Sequence, residues 1–304
     1  MVEPQVGGSY ARLRELARWS EAQGLDAFAR SDHYFDQASS APATDALTSL
    51  GGLAEATDAI QLVVLVTPLT FRHPAVIAKT ATTLDEMSRG RFALGVGTGW
   101  MVGEHEALGL ELPALGERFD RFAEALAYLR AAFEGDGGFT GEYYRLASVG
   151  VLPRPLRLPI VVGGSGMRKT PAYAGRFADE YNMFVTDRET LEQRLEVMRS
   201  AADDAGRDPS LVKVSFAGPA VVAPDDDAYG ALLAERGAKR DMRAGEYEAL
   251  LAEKNVPRGT PDEAASVVAD LEALGVGRFY LQEYAALDDV DTERLAMAFK
   301  ALRG

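Results

Sequence analysis

The sequence predicts an α/β protein built on a parallel sheet, and three observations support that prediction. Short apolar runs alternate with longer segments of helical periodicity, which is typical of strands joined by crossover helices. Apolar residues form 47% of the chain, enough for one large core. The length of 304 residues suits a (β/α)8 barrel, which takes about 250 residues plus insertions. An open doubly wound sheet fits the same alternation.

Seven segments are predicted as strands because they are short, apolar and bounded by turn residues. In chain order they are 25–29, 60–67, 91–97, 159–164, 181–185, 212–218 and 278–283. Residues 2–4 would be the first strand of a barrel. We predict that this strand is shorter than its neighbours, either because it forms weakly or because the native start lies upstream of Met1. The residues left over lie in 98–115, 134–158 and 224–256, which predicts insertions after the fourth and seventh barrel strands.

Helical segments lie between these strands, with apolar residues on one face. They are predicted over 10–23, 74–89, 117–133, 188–205, 261–274 and 291–302, with a shorter helix over 167–177. Pro74 stands at a first helical position, and Gly90 follows the end of the same helix. Because no low-complexity segment or interdomain linker interrupts the pattern, residues 1–304 are predicted to form a single domain.

The charge and composition of the chain exclude several classes of partner and site. The net charge of −14 opposes binding to nucleic acid or to an anionic membrane surface, because both need a basic face. The absence of cysteine from the sequence excludes disulfides, thiolate nucleophiles and cysteine metal sites. The N-terminus lacks the features of a signal peptide, and no apolar run is long enough to cross a bilayer. We therefore expect a cytoplasmic protein with a small-molecule partner.

All three histidines follow predicted strand ends, where a barrel places its active site. His33 lies in "RSDHYF" and is interpreted as functional, because the adjacent Asp32 can help to fix an imidazole tautomer. His73 precedes a helix and is interpreted as structural, whereas His105 fits either role. Glu104 is interpreted as part of a solvated helical turn. No two histidines have the spacing of zinc ligands on a helix, so no metal site is predicted.

Two glycine-rich loops follow predicted strands. The loop "GGSGMRKT" (163–170) opens a helix, so its amide donors and the helix dipole favour an anion such as a phosphate. Arg168 and Lys169 add local positive charge there. The loop "LGVGTG" (94–99) would let a strand approach a flat ring or another backbone closely. These loops indicate a phosphate-bearing cofactor or substrate. A redox cofactor suits a site with aromatic residues and without metal or thiol, because the cofactor would carry the difficult chemistry.

At this point the sequence resembles a known family. The segment "PLTFRHPAVIAKTATTLDEMSRGRFALGVGTGW" (68–100) resembles the signature of the luciferase-like monooxygenase superfamily. The segments "SDHYF" and "LPIVVGGSGMRKTPAYAGRFADEYN" resemble its second and third marks, and "EPQVGGSY" and "GTPDEAASVVADLEALGVGRFYLQ" extend the likeness to both ends. Within the superfamily, the chain is most similar to the branch that uses the deazaflavin coenzyme F420 instead of riboflavin mononucleotide.

The resemblance implies a (β/α)8 TIM barrel, often dimeric, with the ring of the cofactor in the barrel mouth. Asp32 and His33 would lie near the ring, and His33 would protonate or polarise the substrate while hydride passes to or from the deazaflavin. A non-proline cis peptide is expected around Val64–Leu65. The residues implied to contact the cofactor are Val64, Leu65, Thr67, Gly97, Thr98 and Gly99 at the ring, and Gly163, Gly164, Ser165 and Gly166 at the phosphate.

Trp100 and Glu283 complete the candidate catalytic set, since they follow the fourth and eighth predicted strands. Trp100 stands where some deazaflavin dehydrogenases of the superfamily carry an acid.

Three functions are open at this stage. The first is an F420-dependent oxidoreductase that moves hydride to or from a small organic substrate, as a homodimer. The second is a monooxygenase that uses reduced flavin mononucleotide (FMN) and dioxygen. The third is a barrel that binds a cofactor without turnover.

Overall fold

Seven parallel strands form the central sheet of the protein, described by a computed structural model over residues 1–36, 41, 43–135, 138–147 and 151–303. The strands of that part of the chain are, in order, β1 (Ala27–Arg30), β2 (Gln61–Pro68), β3 (Phe92–Gly97), β4 (Phe139–Thr140), β5 (Arg145–Leu146), β6 (Ile160–Gly163), β7 (Glu180–Phe184), β8 (Lys213–Gly218), β9 (Val221–Val222), β10 (Arg258–Gly259) and β11 (Arg278–Leu281). The sheet runs in the order β1-β2-β3-β6-β7-β8-β11. All seven predicted strands are confirmed.

Val2 closes this sheet into a barrel. It bridges in parallel to Arg30 at the end of β1 and to Glu283 just beyond β11. The backbone N–H of Val2 donates to the Ala29 carbonyl, and that of Ser31 donates to the Val2 carbonyl. The first barrel strand is therefore reduced to a single bridge residue, which confirms the prediction that it is shorter than its neighbours. The open-sheet alternative is wrong.

Helices cover the outside of the barrel. In the described residues they are α1 (Tyr10–Ala22), α2 (Ala46–Ala56), α3 (Pro74–Met87), α4 (Val102–Leu108), α5 (Leu115–Glu134), α6 (Lys169–Phe177), α7 (Arg188–Asp204), α8 (Asp226–Ala238), α9 (Ala244–Glu253), α10 (Pro261–Ala273) and α11 (Thr292–Arg303). The seven predicted helices are confirmed within about two residues at each end. The sequence interpretation missed α2 and α9, read the start of α8 at 224–227 only as a turn or helix start, and read α4 as no more than a helical turn.

Two stretches between barrel strands contain more than one helix. Between β3 and β6 the chain forms α4, α5 and the antiparallel pair β4–β5. Between β8 and β11 it forms α8, α9 and α10, with β9 and β10 paired in parallel beside them. Residues 136–137 and 148–150, within the first of these stretches, lie outside the described residues.

Two apolar layers stabilise the barrel. The larger one lies between strands and helices and includes the fully buried Leu62, Leu94 and Phe216. The smaller one fills the barrel interior with mostly small side chains, namely Ala29, Val63, Leu65, Ala93, Val161, Ala217 and Tyr280. Towards the amino ends of the strands, Arg278 bonds Glu180 and the Tyr280 hydroxyl inside the barrel, at 3.1 and 2.9 Å. Small residues leave the opposite end of the interior open.

None of the helices described here has the length and apolarity needed to cross a membrane.

Candidate active site

A cavity of about 300 Å³ lies in the mouth of the barrel. Its wall contains the last residues of four strands, Pro68, Gly97, Gly163 and Phe184, together with Ser31 just after β1. The carboxyl ends of the strands are the face on which barrel enzymes build their active sites. The cavity is therefore the candidate active site.

The floor of the cavity is a flat strip of small residues around Val66. A Cβ atom added to Gly97 would lie 2.8 Å from Val66 Cγ2, and one added to Gly163 would lie 2.7 Å from Val66 Cγ1. Both positions must therefore stay glycine for Val66 to reach between them. The expected non-proline cis peptide is present between Leu65 and Val66, one residue later than predicted. The pairing of β2 with β3 shifts in register between Val64 and Thr67.

His33 and Glu104 form the central polar pair of the cavity. The His33 Nδ1 atom lies 3.0 Å from Glu104 Oε2, and the backbone N–H of Tyr34 donates to Glu104 Oε1 at 2.5 Å. Because an ionised carboxylate only accepts hydrogen bonds, Nδ1 carries the hydrogen and Nε2 is the nitrogen available to a ligand. Glu104 is only 1% exposed, so the prediction that it lies on a solvated turn is wrong.

The surroundings of His33 favour its charged form. Burial of the imidazole opposes the charge, but the hydrogen bond and the charge of Glu104 act against burial, together with the charges of Glu3 and Asp32. The balance raises the pKa of His33 above its ordinary 6.5. His33 can therefore donate a proton from Nε2 below its raised pKa and accept one above it.

Asp32 faces away from the cavity and anchors a polar network beneath the His33 loop. Arg72 donates to Asp32 Oδ2 at 2.6 Å and to the Thr67 hydroxyl at 3.0 Å, and it also pairs with Asp45, the N-cap of α2. The Asp32 side chain is fully buried. Beside this network, the buried Arg30 donates to the Ser49 hydroxyl at 2.7 Å. These contacts fix the loop that carries His33.

The segment that carries Trp100 is held from beneath by His105. The His105 Nδ1 atom lies 2.8 Å from the Met101 carbonyl, and Nε2 lies 2.8 Å from the Thr70 hydroxyl. The indole of Trp100 meets the His33 ring edge to face at 5.9 Å and is 68% exposed. Trp100 therefore forms part of the rim of the cavity and limits access to His33.

The glycine loop before α6 forms another part of the wall. Gly164 has a φ of 151°, and the Ser165 carbonyl accepts a 2.6 Å hydrogen bond from the buried Arg194. Helix α6 begins at Lys169, immediately after the loop. The N-terminus of this helix points its free amides towards the loop, which is the arrangement that binds phosphate groups.

The structure brings most of the predicted site residues to this cavity. The residues that line it are His33, Trp100, Leu65, Gly97, Thr98, Gly99, Gly163, Gly164 and Ser165. Five others lie away from it. Val64 belongs to the core between strands and helices, Thr67 is fully buried beside Arg72, and Gly166 lies against Thr170. Asp32 pairs with Arg72, and Glu283 pairs with Arg294.

His73 caps α3 by accepting from the Ala75 N–H at 3.1 Å, so the structural interpretation of His73 is confirmed.

Several lining residues were missed by the sequence interpretation. They are Glu3, Val66, Pro68, Met101, Asn182, Met183, Phe184 and Ala217. Asn182, Met183 and Phe184 close a predicted strand, so the rule that placed the histidines at strand ends could also have identified these three residues. Within the residues described, no group of three or more metal-ligating side chains is placed to hold a metal ion.

Comparisons with known proteins agree with this geometry. The model of the luciferase-like monooxygenase family matches residues 2–280. An F420-dependent glucose-6-phosphate dehydrogenase of Nakamurella multipartita is 33% identical over 276 residues, covering 86% of this chain and 79% of the relative.

Two solved structures share the fold over nearly the whole chain. A monooxygenase from Streptomyces bottropensis superposes with a TM-score of 0.78 at 22% identity, covering 99% of this chain and 95% of that chain. An F420-dependent secondary alcohol dehydrogenase, in complex with an F420–acetone adduct, superposes with a TM-score of 0.77 at 23% identity, covering 100% and 99%. These likenesses show the barrel fold.

Proposed function

The chain belongs to the luciferase-like monooxygenase family, and from this premise we propose that it is an oxidoreductase that transfers hydride between coenzyme F420 and a small organic substrate. The observation that carries the proposal is the His33–Glu104 pair, which presents one free imidazole nitrogen to a cavity with a flat glycine floor. The relative from Nakamurella multipartita, which is F420-dependent by name, supports this cofactor.

The residues of the cavity fit a flat cofactor ring and a phosphate. The strip formed by Val66, Gly97 and Gly163 leaves room for a planar ring, because no side chain projects from the two glycines. Gln282 lines the cavity, and its Oε1 atom is buried without a hydrogen-bond partner in the described residues, so it can accept from a ring N–H. The loop 163–166 would hold the phosphate. When bound, the deazaflavin accepts or donates the hydride.

Side chains of the protein would transfer the proton that accompanies the hydride. His33 Nε2 would take the proton from a substrate hydroxyl in oxidation, or give one to a substrate oxygen in reduction. Glu104 would stabilise the imidazolium through Nδ1. Trp100 would shield the reacting atoms from water at the rim. We assign Asp32 a positioning role through Arg72, and we assign Glu283 no contact with the ligands.

A paired titration tests the cofactor. The purified protein would be titrated with F420 and, separately, with FMN, and binding would be followed by cofactor fluorescence. We expect tighter binding of F420. A preference for FMN would favour the monooxygenase alternative. The solved monooxygenase with the same fold is the observation that supports this alternative. Binding of neither cofactor would overturn the proposal.

Removing the charge of Glu104 should change the pH dependence of the reaction. The neutral imidazole is the base for oxidation, so kcat/KM for F420 reduction should rise as pH rises through the pKa of His33, which lies above 6.5. In Glu104→Gln the main contribution that raises this pKa is lost while burial still lowers it, so the rise should move to lower pH. The measurement is kcat/KM against pH for both proteins.

A Glu106→Gln variant is the matched control, because Glu106 lies on the same helix and faces solvent. Its pH profile should coincide with that of the unmodified protein. An unchanged profile in Glu104→Gln would contradict the role given to the pair.

A homodimer would use the groove between α2 and α3. This groove of about 430 Å³ is lined by Gly51, Gly52 and Met87, and Val76 on the same helix pair is 54% exposed. Exposed apolar side chains grouped on one surface are typical of interfaces between subunits, and Glu55 and Lys79 in the same groove can pair across such an interface. We expect twice the chain mass in light scattering, and the monomer mass in Val76→Glu/Met87→Glu. A monomeric starting protein would contradict this arrangement.

Cytoplasmic location and a single domain stay predictions from the sequence.

A further inference from the structure

We infer that the substrate is an uncharged alcohol, or the matching carbonyl compound, with an apolar body, and that it carries neither phosphate nor carboxylate. This inference rests on the proposed function and names the substrate class of the same site. The observation behind it is a cavity whose ionisable wall side chains are two carboxylates and histidines, of which His33 pairs with a carboxylate, and whose remaining wall is largely apolar.

The cavity offers no cationic side chain to an anion. Among the described residues that line it, none is lysine or arginine, whereas Glu3 and Glu104 bring two carboxylates. The residues of the sequence outside the described ranges contain no lysine, arginine or histidine. His33 can carry a positive charge, but Glu104 already neutralises that charge at 3.0 Å.

Basic side chains around the mouth already make contacts within the protein, although the Nε atoms of Arg118 and Arg194 are buried without a hydrogen-bond partner in the described residues. Arg72 pairs with two aspartates, Arg118 donates to the Gly99 carbonyl at 2.6 Å, and Arg194 donates to the Ser165 carbonyl. Lys254 pairs with Asp187, and Arg294 pairs with Glu283. An anionic substrate would have to compete with these internal contacts for the same cations.

The two basic residues of the glycine loop would face the phosphate of the cofactor and not the substrate. Arg168 and Lys169 are exposed beside the loop that would hold the cofactor phosphate, and Lys169 lies 3.5 Å from Asp120. The F420 phosphate would therefore use the positive field at this end of the cavity. A second anion, on the substrate, would be repelled by the first.

Three neutral polar side chains of the wall already donate hydrogen bonds within the protein. The Ser31 hydroxyl donates to Gln5, Asn182 donates to the Ser215 hydroxyl at 2.9 Å, and Gln282 donates to Glu3. A single hydroxyl or carbonyl oxygen is sufficient to engage His33 Nε2.

The apolar rim fits the rest of such a substrate. Trp100, Met101, Met183 and Phe184 line the cavity, and Phe184 is 49% exposed at the end of β7. An apolar body would bury these surfaces favourably. A phosphate or carboxylate would lose its hydration next to them without gaining a partner, which is costly for an ionised group.

The test compares two ligands that differ by one charge. Cyclohexanol and trans-hydroxycyclohexanecarboxylate share a ring and a hydroxyl, and only the second carries a carboxylate. Both would be titrated by calorimetry into the F420-loaded protein, with glucose-6-phosphate as a third ligand. We expect cyclohexanol to bind at least about tenfold tighter than either anion, because an unpaired charge next to a carboxylate is disfavoured. Equal or tighter binding of an anion, or no measurable binding of cyclohexanol, would overturn the inference.

A charge placed on the rim gives a second readout. Phe184→Lys puts a cation at a half-exposed wall position, and Phe184→Leu is the matched neutral control. In Phe184→Lys, the ratio of the dissociation constants of the carboxylate and cyclohexanol should fall by about tenfold. The reason is that a nearby positive charge compensates the desolvation of the carboxylate. Phe184→Leu should leave the discrimination unchanged. Identical discrimination in all three proteins would show that wall charge does not select the substrate.

These measurements separate the inference from the proposed function. F420 binding is measured first, by fluorescence, and its failure would overturn the cofactor. The ligand pair can then be titrated into the protein alone, where the same wall residues set the same preference. A preference for the uncharged ligand without F420 binding would leave the inference on the site standing and overturn only the proposed reaction.

Discussion

Replacement of His33 by alanine is expected to lower kcat for F420-linked turnover by about a hundredfold to ten-thousandfold, the range in which general acid–base groups act. Among the described residues of the candidate site, His33 Nε2 is the imidazole nitrogen available for proton transfer, since His33 Nδ1 is bonded to Glu104 and both ring nitrogens of His105 have partners. Binding of F420 should change little, because the glycine strip and the loop 163–166 are untouched. The measurements are kcat from the absorbance of F420 and the dissociation constant from its fluorescence.

His73 offers a matched control for this prediction. It also follows a barrel strand, but its side chain caps α3 and lies outside the cavity. Because asparagine also caps helices well, His73→Asn should keep both stability and kcat. Turnover in His33→Ala within a few fold of the unmodified protein would move the proton-transfer role to another group.

Replacement of Arg72 by leucine is expected to destabilise the protein by about 3–5 kcal/mol, the range seen when one partner of a buried ion pair is removed. Asp32 would be left fully buried without its cation, and Thr67 and Asp45 would each lose a hydrogen bond. The measurement is the free energy of unfolding in urea. Turnover should fall as well, because the loop of His33 would lose its anchor.

A double variant distinguishes the buried charge from lost packing. In Arg72→Leu/Asp32→Asn the stranded carboxylate is replaced by a neutral amide, so much of the lost stability should return. Arg121→Leu is a surface control, since its pairs with Glu111 and Glu117 are exposed and worth little. Destabilisation by Arg72→Leu of no more than the surface control would contradict the role given to the network.

Strand and helix positions could be predicted because they depend on local patterns. The runs at β2 and β3 are almost continuously apolar, and a strand covered on both faces requires that composition. Helix α2 was missed because "ALTSLGGLAEA" contains two adjacent glycines, which lower helix propensity. Its N-cap Asp45 and its packing against α3 form it nonetheless.

The site could be predicted only in part, for a different reason. Glycines and histidines at strand ends are visible in the sequence, and the fold brings them together. The burial of Glu104 depends on the loop after β1 folding over α4, a contact between residues 71 positions apart. No local sequence pattern indicates such a contact, so the segment "GEHEALG" was interpreted as a solvated turn. Residue type alone likewise could not show that Asp32 and Glu283 pair with arginines away from the cavity.

The His33–Glu104 pair joins two segments that follow different barrel strands. The imidazole comes from the loop after β1, and the carboxylate that raises its pKa comes from α4. Substitutions in α4 can therefore shift the working pH while the reacting side chain stays the same, and substitutions on the rim can change the ligand while the proton chemistry stays the same. The pKa of His33 and the choice of substrate can thus evolve separately in this barrel, and a laboratory selection could change one without changing the other.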